Sequence, residues 1–145
     1  MSQSLDIAIL IPCHNEGDVI ATVVQDFKKI IPHATVYVYD NCSTDNTIEQ
    51  AYQAGAIVRS EPHLGKGNVV KRMFADIEAD LYLLTDGDAT YDAKNAPLMI
   101  KTLLDNHLDM VVGKRIESQE TAYRLGHRFG WRESVSGSES QGFQF

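Results

Sequence analysis

Short apolar runs alternate with longer amphipathic stretches along most of this chain, and this alternation constrains the fold more than any other feature. The short runs are predicted to be strands and cover residues 7–11, 35–39, 56–59, 81–84 and 110–112. Between them, apolar residues recur at helical spacing, as in Val19, Val23 and Phe27. Strands that alternate with helices form right-handed βαβ units. We therefore predict an α/β fold with a mostly parallel sheet flanked by helices.

Capping and breaking residues mark the ends of the predicted helices. Asn15 is placed to cap the first helix, and Gly55 to end the second. Residues 65–67 open the third helix, and Pro97 falls in the first turn of the fourth. In open α/β sheets, ligands bind beyond the carboxyl ends of the strands, so the loops that follow the strands are the places to search for a site.

Length and charge narrow the classes of function. The chain has 145 residues, enough for one domain, with a net charge of −7 and a pI near 5.1. This acidity argues against a nucleic-acid partner, since nucleic-acid binders usually carry a basic face. We find neither a secretion signal nor the roughly 18 apolar residues of a membrane span, and therefore expect a cytoplasmic protein with at most peripheral membrane contact. Cys13 and Cys42 form no CxxC pair, which argues against zinc.

Polar motifs follow the first two predicted strands. The first is PCHNE, residues 12–16, where a dinucleotide-binding fold or a P-loop NTPase would have a glycine-rich loop. The second is DNCSTDNT, which begins with Asp40 at the end of a strand. A carboxylate in this position can accept a hydrogen bond from a ring N–H of uracil or guanine. The alternatives are that Asn15 is only a helix cap and that Asp40 is only a turn residue before the capping side chains of Ser43 and Asp45.

Two further motifs carry the charges expected of a phosphate and metal site. In Gly65-Lys66-Gly67, Lys66 can meet a phosphate, or it can be a solvated lysine in a flexible turn. Asp86 and Asp88 follow the fourth apolar run, and on an extended segment they lie on one side, roughly 6.6 Å apart. Two carboxylates after a buried strand repel each other. Because Mg²⁺ takes one or two carboxylates plus phosphate oxygens, we favour a metal site over a surface turn.

The motifs PCHNE, DNCSTDNT, GKG and TDGD, followed by VVGKR at residues 111–115, together resemble family 2 glycosyltransferases with the GT-A fold. The closest likeness is to the dolichyl- or polyprenyl-phosphate hexosyltransferases, and it covers roughly residues 7–130. The resemblance implies a GT-A nucleotide-sugar-binding domain over residues 1–131, followed by a flexible polar tail over residues 132–145.

The resemblance also implies a role for each matching residue. Pro12, Glu16 and Asp40 would contact the base and ribose, while Asp86 and Asp88 would bind Mg²⁺ or Mn²⁺ and the diphosphate. Asp88 and Arg115 are the expected catalytic residues, with Arg115 contacting the donor diphosphate or the acceptor phosphate. The other expected substrate-binding residues, all within the same motifs, are Asn15, Asn41, Ser43, Lys66 and Gly67.

The reaction implied by the resemblance is metal-dependent, inverting transfer of a hexose from a UDP- or GDP-sugar to a polyprenyl or dolichyl phosphate. Thr90 stands where the family often has a glutamine that contributes to the metal site, and Lys114 replaces the usual serine. The resemblance to the family's acceptor-side segment ends near Gly130. We therefore expect a truncated or frame-shifted chain that binds the sugar donor but transfers the sugar poorly. The alternatives are a non-catalytic nucleotide-diphosphate-binding remnant and a sugar nucleotidyltransferase.

Overall fold

The first four apolar runs form a four-stranded parallel sheet in the computed structural model, which describes residues 4–114 and the backbone of residues 143–144. The strands are β1 (Ile7–Cys13), β2 (Thr35–Asp40), β3 (Ile57–Ser60) and β4 (Leu81–Leu84), arranged in the order β3-β2-β1-β4. The prediction of an α/β fold with a parallel sheet is therefore confirmed.

Helices pack on the sheet through the apolar positions that predicted them. The helices on the sheet are α1 (Ile20–Ile30), α2 (Thr47–Gln53) and α3 (Lys66–Asp76). A short 3-10 turn at Ala93–Asn95 leads into a fourth helix, α4 (Ala96–Asp105). The buried Val69 and Met73 of α3 pack against the face of β1 that carries Ala8 and Leu10. Alternate residues of β1 point to the opposite face. α1 contacts β2 and α2 and buries four apolar side chains, Ile20, Val23, Val24 and Phe27.

The register of the strands decides which loops meet. Cys13 at the end of β1 pairs with Asp40 at the end of β2, and Asp40 pairs with Ser60 at the end of β3. β4 stops earlier, because Leu84 pairs with Leu10 while β1 continues to Cys13. The segment that follows β4 is therefore free to cross the end of β1, where the loops after β1 and β2 also begin.

Most of the predicted helix ends are confirmed. Gly55 ends α2 with a φ of +91°, and the N–H groups of Gly55 and Ala56 donate to the carbonyls of Tyr52 and Ala51, as in a Schellman motif. α3 begins directly after Gly65, which has a φ of +134°. The cap predicted at Asn15 is wrong: α1 begins only at Ile20, because the side chain of Asn15 is held by the loop after β2.

Two expectations about strands are also wrong. Residues 110–112 form no strand, and Met110 and Val112 are 75% and 60% exposed. The next strand is instead β5 (Gly113–Lys114), which pairs in parallel with β6 (Phe143–Gln144). An apolar run becomes a strand only where another strand satisfies its backbone groups, and within the described residues 110–112 has no such partner. β4 is not fully buried either, since Tyr82 and Leu84 are exposed on this edge strand.

The chain divides into two compact units. The first ends at Pro97 and contains the main sheet, and the second begins at Leu98 and contains the β5–β6 pair. The boundary predicted between residues 131 and 132 lies outside the described residues and stays a prediction. Among the described residues, no helix is long and apolar enough to span a bilayer.

Candidate functional site

The loop after β1 (residues 14–19, the first loop) and the loop after β2 (residues 41–46, the second loop) are locked together by hydrogen bonds. Three consecutive backbone N–H groups of the first loop, from Asn15, Glu16 and Gly17, donate to side chains in and just beyond the second loop. Their acceptors, in the same order, are Ser43 Oγ at 2.8 Å, Thr47 Oγ1 at 2.9 Å and Asp45 Oδ2 at 3.0 Å. The polar stretch DNCSTDNT therefore fixes the backbone of PCHNE.

Asn15 returns a contact to the second loop. Its Oδ1 accepts from the backbone N–H of Thr44 at 2.8 Å, and its backbone has a φ of +51°. Cys42, within the second loop, has a φ of +62°. Residues other than glycine adopt this left-handed region rarely, so both loops have unusual backbone conformations that their mutual hydrogen bonds stabilise.

One carboxylate oxygen of Asp40 has no hydrogen-bond partner in the part of the chain that the structure describes. The side chain is only 3% exposed, and Oδ2 accepts from the backbone N–H of Ser43 at 3.1 Å. Oδ1 is buried and has no hydrogen-bond partner among the described residues. A buried polar atom without a hydrogen bond costs roughly 1–3 kcal/mol. Asp40 is therefore suited to accept a hydrogen bond from a ligand.

Asn41 uses its side chain entirely within the protein. Nδ2 donates to the carbonyls of Glu61 and His63 at 2.8 and 2.9 Å, and Oδ1 accepts from the N–H of Gly65 at 2.8 Å. These bonds tie the second loop to the segment between β3 and α3. Asn41 and Ser43 also hold the loops in place, and the expectation that they bind substrate stays a prediction.

The segment after β4 packs directly on the first loop. A Cβ added to Gly87 would collide with Glu16 Oε2 and lie 2.5 Å from Cys13 Sγ, so only glycine fits. Lys66 at the start of α3 forms an ion pair with Asp86. A Cβ on Gly67 would meet nothing within 4 Å, so the first turn of α3 is open at this position.

Asp88 is oriented by Thr90. Asp88 Oδ1 accepts from the backbone N–H of Thr90 at 3.0 Å and from its hydroxyl at 2.6 Å. The chain bends at residues 87–89, and Ala89 has a φ of +60°. The expectation that Asp86 and Asp88 lie on one extended segment is therefore wrong. Both carboxylates nevertheless lie near enough to Glu16 to act on its charge.

The ends of the strands collect more negative than positive charge. Burial, with Asp88 and Asp86 nearby, raises the pKa of Glu16 from 4.5 to about 8, and Lys66 opposes this shift only in part. Glu16 Oε2 is a second buried oxygen without a hydrogen-bond partner among the described residues. Burial and the surrounding carboxylates also raise the pKa of the Cys13 thiol, which makes it unreactive. A cation at this place would relieve the repulsion between the carboxylates.

Known proteins are similar to this chain in sequence and in fold. Residues 8–143 match the family described as Glycosyl transferase family 2. The chain belongs to glycosyltransferase family 2. It is 57% identical over 129 residues to Protein RfbJ of Shigella flexneri, a match that covers 88% of this chain and 100% of that protein. It is 30% identical over 121 residues to a dolichyl-phosphate hexose transferase of Haloferax volcanii, covering 83% of this chain and 53% of the transferase.

A solved structure has a similar fold. This is glucosyl-3-phosphoglycerate synthase from Mycobacterium tuberculosis in complex with Mn²⁺, UDP and glucosyl-3-phosphoglycerate. The TM-score is 0.63 at 25% identity, and the match covers 70% of this chain and 40% of the synthase. The family 2 chain described here thus spans about half or less of the length of these two larger relatives, and the predicted GT-A fold is confirmed.

The residues of this family 2 chain fit a divalent cation that is shared with a ligand. Among residues 4–114, no group of three or more His, Cys, Asp or Glu side chains is arranged to hold a metal by itself. Asp86 and Asp88 offer two carboxylates, and Mg²⁺ commonly takes one or two carboxylates with phosphate oxygens and water. Burial, with Asp88 and Asp86 nearby, raises the pKa of Glu16, and a cation at this place would stabilise the ionised carboxylates. The hydroxyl of Thr90 donates to Asp88 Oδ1 in this arrangement and so orients that carboxylate.

Most of the expected site residues of the family 2 chain meet at one edge of the sheet. Pro12 is buried at the end of β1, opposite Tyr39, and Glu16 lies against Gly87. Arg115 lies outside the described residues, so its role stays a prediction. Sequence reasoning missed Glu61, which has a buried side chain. Its backbone N–H donates to the backbone carbonyl of Asp40 at 2.9 Å. Its position directly after β3 was the available signal.

Proposed function

We propose that this chain binds a UDP- or GDP-sugar through Mg²⁺ or Mn²⁺ and transfers the hexose, with inversion, to a polyprenyl or dolichyl phosphate. Two buried oxygens without a hydrogen-bond partner among the described residues, Glu16 Oε2 and Asp40 Oδ1, carry the proposal, together with Asp86 and Asp88 near Glu16. Both oxygens can accept a hydrogen bond from a ligand, and a cation would offset the repulsion between the carboxylates. A nucleoside diphosphate with its metal supplies both hydrogen-bond donors and a cation.

The base is assigned to the groove between the first two loops. Asp40 Oδ1 would accept from a ring N–H, because it is buried and its other oxygen is already used by Ser43. Pro12 would limit the groove from the side of β1. Glu16 would contact the ribose, whose hydroxyl groups can donate to Oε2. Asn15, Asn41 and Ser43 would hold the loops that form the groove.

The diphosphate is assigned to the space between α3 and the segment after β4. Asp86 and Asp88 would hold the cation, which stabilises the negative charge that develops on the leaving diphosphate. Lys66 lies at the start of α3, where the helix N-terminus also attracts anions. The glycine at position 67 leaves this turn accessible to phosphate oxygens.

A phosphate acceptor agrees with the chemistry of the site. Its ionised oxygen would form the bond to the anomeric carbon while the bond to the nucleoside diphosphate breaks, and no general base is required. Glu16 would be a poor base in the metal-free protein, because its pKa of about 8 keeps it protonated at neutral pH. Similarity to a dolichyl-phosphate hexose transferase supports this acceptor class. Arg115 would contact its phosphate, and a lipid acceptor would bring the protein to the cytoplasmic face of a membrane.

A two-step assay tests the proposal. Thermal shifts with UDP, GDP and their sugars, with and without Mn²⁺, should show binding that depends on the metal. The purified chain is then incubated with radiolabelled UDP-glucose or GDP-mannose, Mn²⁺ and polyprenyl phosphate in detergent. Labelled lipid would establish transfer. Metal-dependent binding without labelled lipid would favour the alternative of a nucleotide-binding remnant, while the absence of metal-dependent binding would refute both. The nucleotidyltransferase alternative is excluded by membership of family 2.

Asp40→Asn should weaken binding of the preferred nucleotide by about tenfold or more. A hydrogen bond to a charged group contributes roughly 1.5–3 kcal/mol, and about 1.4 kcal/mol corresponds to tenfold in affinity. The change keeps the shape of the side chain but replaces one acceptor by a donor. Calorimetric titration of UDP and GDP with Mg²⁺ measures the effect.

Asp80→Asn is the matched control for Asp40. Asp80 lies at the opposite end of the sheet, where its Oδ2 accepts from the N–H of Asp6 at 2.8 Å. This variant should bind nucleotide as the parent does. Equal affinities for parent and Asp40→Asn would reduce Asp40 to a turn residue.

A further inference from the structure

A directed chain of hydrogen bonds runs from the second loop through the first loop and back. The N–H of Thr44 donates to Asn15 Oδ1 at 2.8 Å. Asn15 Nδ2 lies 3.0 Å from His14 Nε2, and His14 Nδ1 lies 2.5 Å from the carbonyl oxygen of Asn41. Both ends of the chain are therefore in the second loop, on either side of Cys42.

The direction of each bond is fixed by the groups at the two ends. A carbonyl oxygen only accepts, so Nδ1 of His14 must carry the proton. In a neutral ring Nε2 then has the lone pair and accepts from the amide of Asn15. The assignment of the amide is fixed as well, since the N–H of Thr44 requires an oxygen opposite it. In this arrangement Nδ1 of His14 donates to the carbonyl of Asn41 and Nε2 accepts from Asn15.

We propose that His14 is a positioning residue for the nucleotide base, acting through the turn at residues 41–44. This inference rests on the proposed function, since it assigns the base to the groove that contains Asp40. The bridge formed by His14 and Asn15 spans Cys42, whose φ of +62° needs support from its surroundings. The same turn places the N–H of Ser43 on Asp40 Oδ2 and so leaves Oδ1 directed to a ligand.

Two features separate His14 from a residue that only fills space. Both of its ring nitrogens make polar contacts to the loops, whereas a packing role requires neither. The bridge that these contacts form also joins the first and second loops beside Asp40, whereas Asp86, Asp88 and Lys66 belong to other segments. Loss of the bridge should therefore affect recognition of the base and leave binding of the diphosphate intact.

The first test reads the position of the ring proton. Long-range ¹H–¹⁵N correlation spectra of the ¹⁵N-labelled protein, recorded at about pH 8 where histidine is ordinarily neutral, distinguish the two tautomers. The His14→Phe variant identifies the His14 signals by their disappearance. We expect a protonated Nδ1 and an unprotonated Nε2. A proton on Nε2 would overturn the inference, whatever the protein binds.

The second test separates base from diphosphate. UDP and inorganic pyrophosphate are titrated with Mg²⁺ into the parent and into His14→Phe, which keeps an aromatic ring but removes both polar contacts. We expect UDP affinity to fall by about tenfold and pyrophosphate affinity to stay unchanged. His33→Phe, in the exposed connection between α1 and β2, is the matched control and should leave both affinities unchanged.

The outcomes distinguish this inference from the proposed function. Unchanged UDP affinity in His14→Phe, or an equal loss for UDP and pyrophosphate, would overturn the role of His14 while leaving the proposed function intact. Failure of the parent chain to bind UDP with Mg²⁺ would overturn the proposed function, and the assignment of His14 to base recognition with it.

Discussion

Asp88→Ala should abolish the metal-dependent part of nucleotide binding. Asp88 is exposed after the bend that follows β4, with Oδ1 held by Thr90, so its carboxylate is oriented before any ligand arrives. Loss of a residue that only supports a metal ligand commonly costs 10–100-fold in metal affinity, and we expect the loss of the ligand itself to exceed about 100-fold. Calorimetric titration of UDP in the presence and absence of Mn²⁺ measures the difference between the two affinities.

Two further variants make the Asp88 experiment specific. Asp105→Ala removes an exposed aspartate of α4 that pairs with Lys101, and it should not change the response to Mn²⁺. Thr90→Val removes the hydroxyl that donates to Asp88, and its effect should be in the same direction but smaller. If Mn²⁺ strengthens UDP binding equally in the parent and in Asp88→Ala, the metal site does not include Asp88.

The sequence predicted the main sheet well because each strand carried two independent signals. The four apolar runs were bounded by residues such as Gly55 and Gly65 that end or begin helices, and the structure confirms both kinds of signal. The run at residues 110–112 had only its apolar character, and the pairing at Gly113–Lys114 depends on residues 143–144, which no local pattern connects to it. Local sequence therefore predicts elements better than it predicts their partners.

In the candidate site, too, the sequence predicted the positions of key residues better than it predicted their partners. Asp40, Asp86 and Asp88 were found because carboxylates directly after strands are unusual, and the parallel register brings these loops to one edge. The division of labour among the remaining residues was not predictable. The side chains of Asn15, Asn41 and Ser43 also join separate loops, and the partners that they have in those loops lie 20 or more residues away in the chain. Only the folded structure shows that these partners are protein atoms.

Glu16→Gln should make the metal-free protein more stable at alkaline pH. Burial and the neighbouring Asp88 and Asp86 raise the pKa of Glu16 from 4.5 to about 8. Between these two pH values, Glu16 is protonated in the folded protein and ionised in the unfolded protein. The stability of the parent should therefore fall as pH rises from about 4.5 to 8 and then level off. Glutamine carries no charge at any of these pH values. At about pH 8.5 the free energy of unfolding of the variant should therefore exceed that of the parent by roughly 2–4 kcal/mol, a range that allows for the partial exposure of Glu16.

Urea unfolding of both proteins in EDTA, at intervals from about pH 5 to 8.5, measures this gain as a difference that grows with pH. Other groups titrate in the same range, but both proteins contain them. Their contributions to the free energy of unfolding therefore cancel in the difference between the two proteins. Glu78→Gln, a change at an exposed position before β4, is the matched control and should give a difference that does not vary with pH. Parallel curves for the parent and Glu16→Gln would show that Glu16 has an ordinary pKa. Added Mg²⁺ should make the free energy of unfolding of the parent depend less on pH, and it should not have this effect on Glu16→Gln. The reason is that a cation at Asp86 and Asp88 offsets the charges that raise the pKa of Glu16.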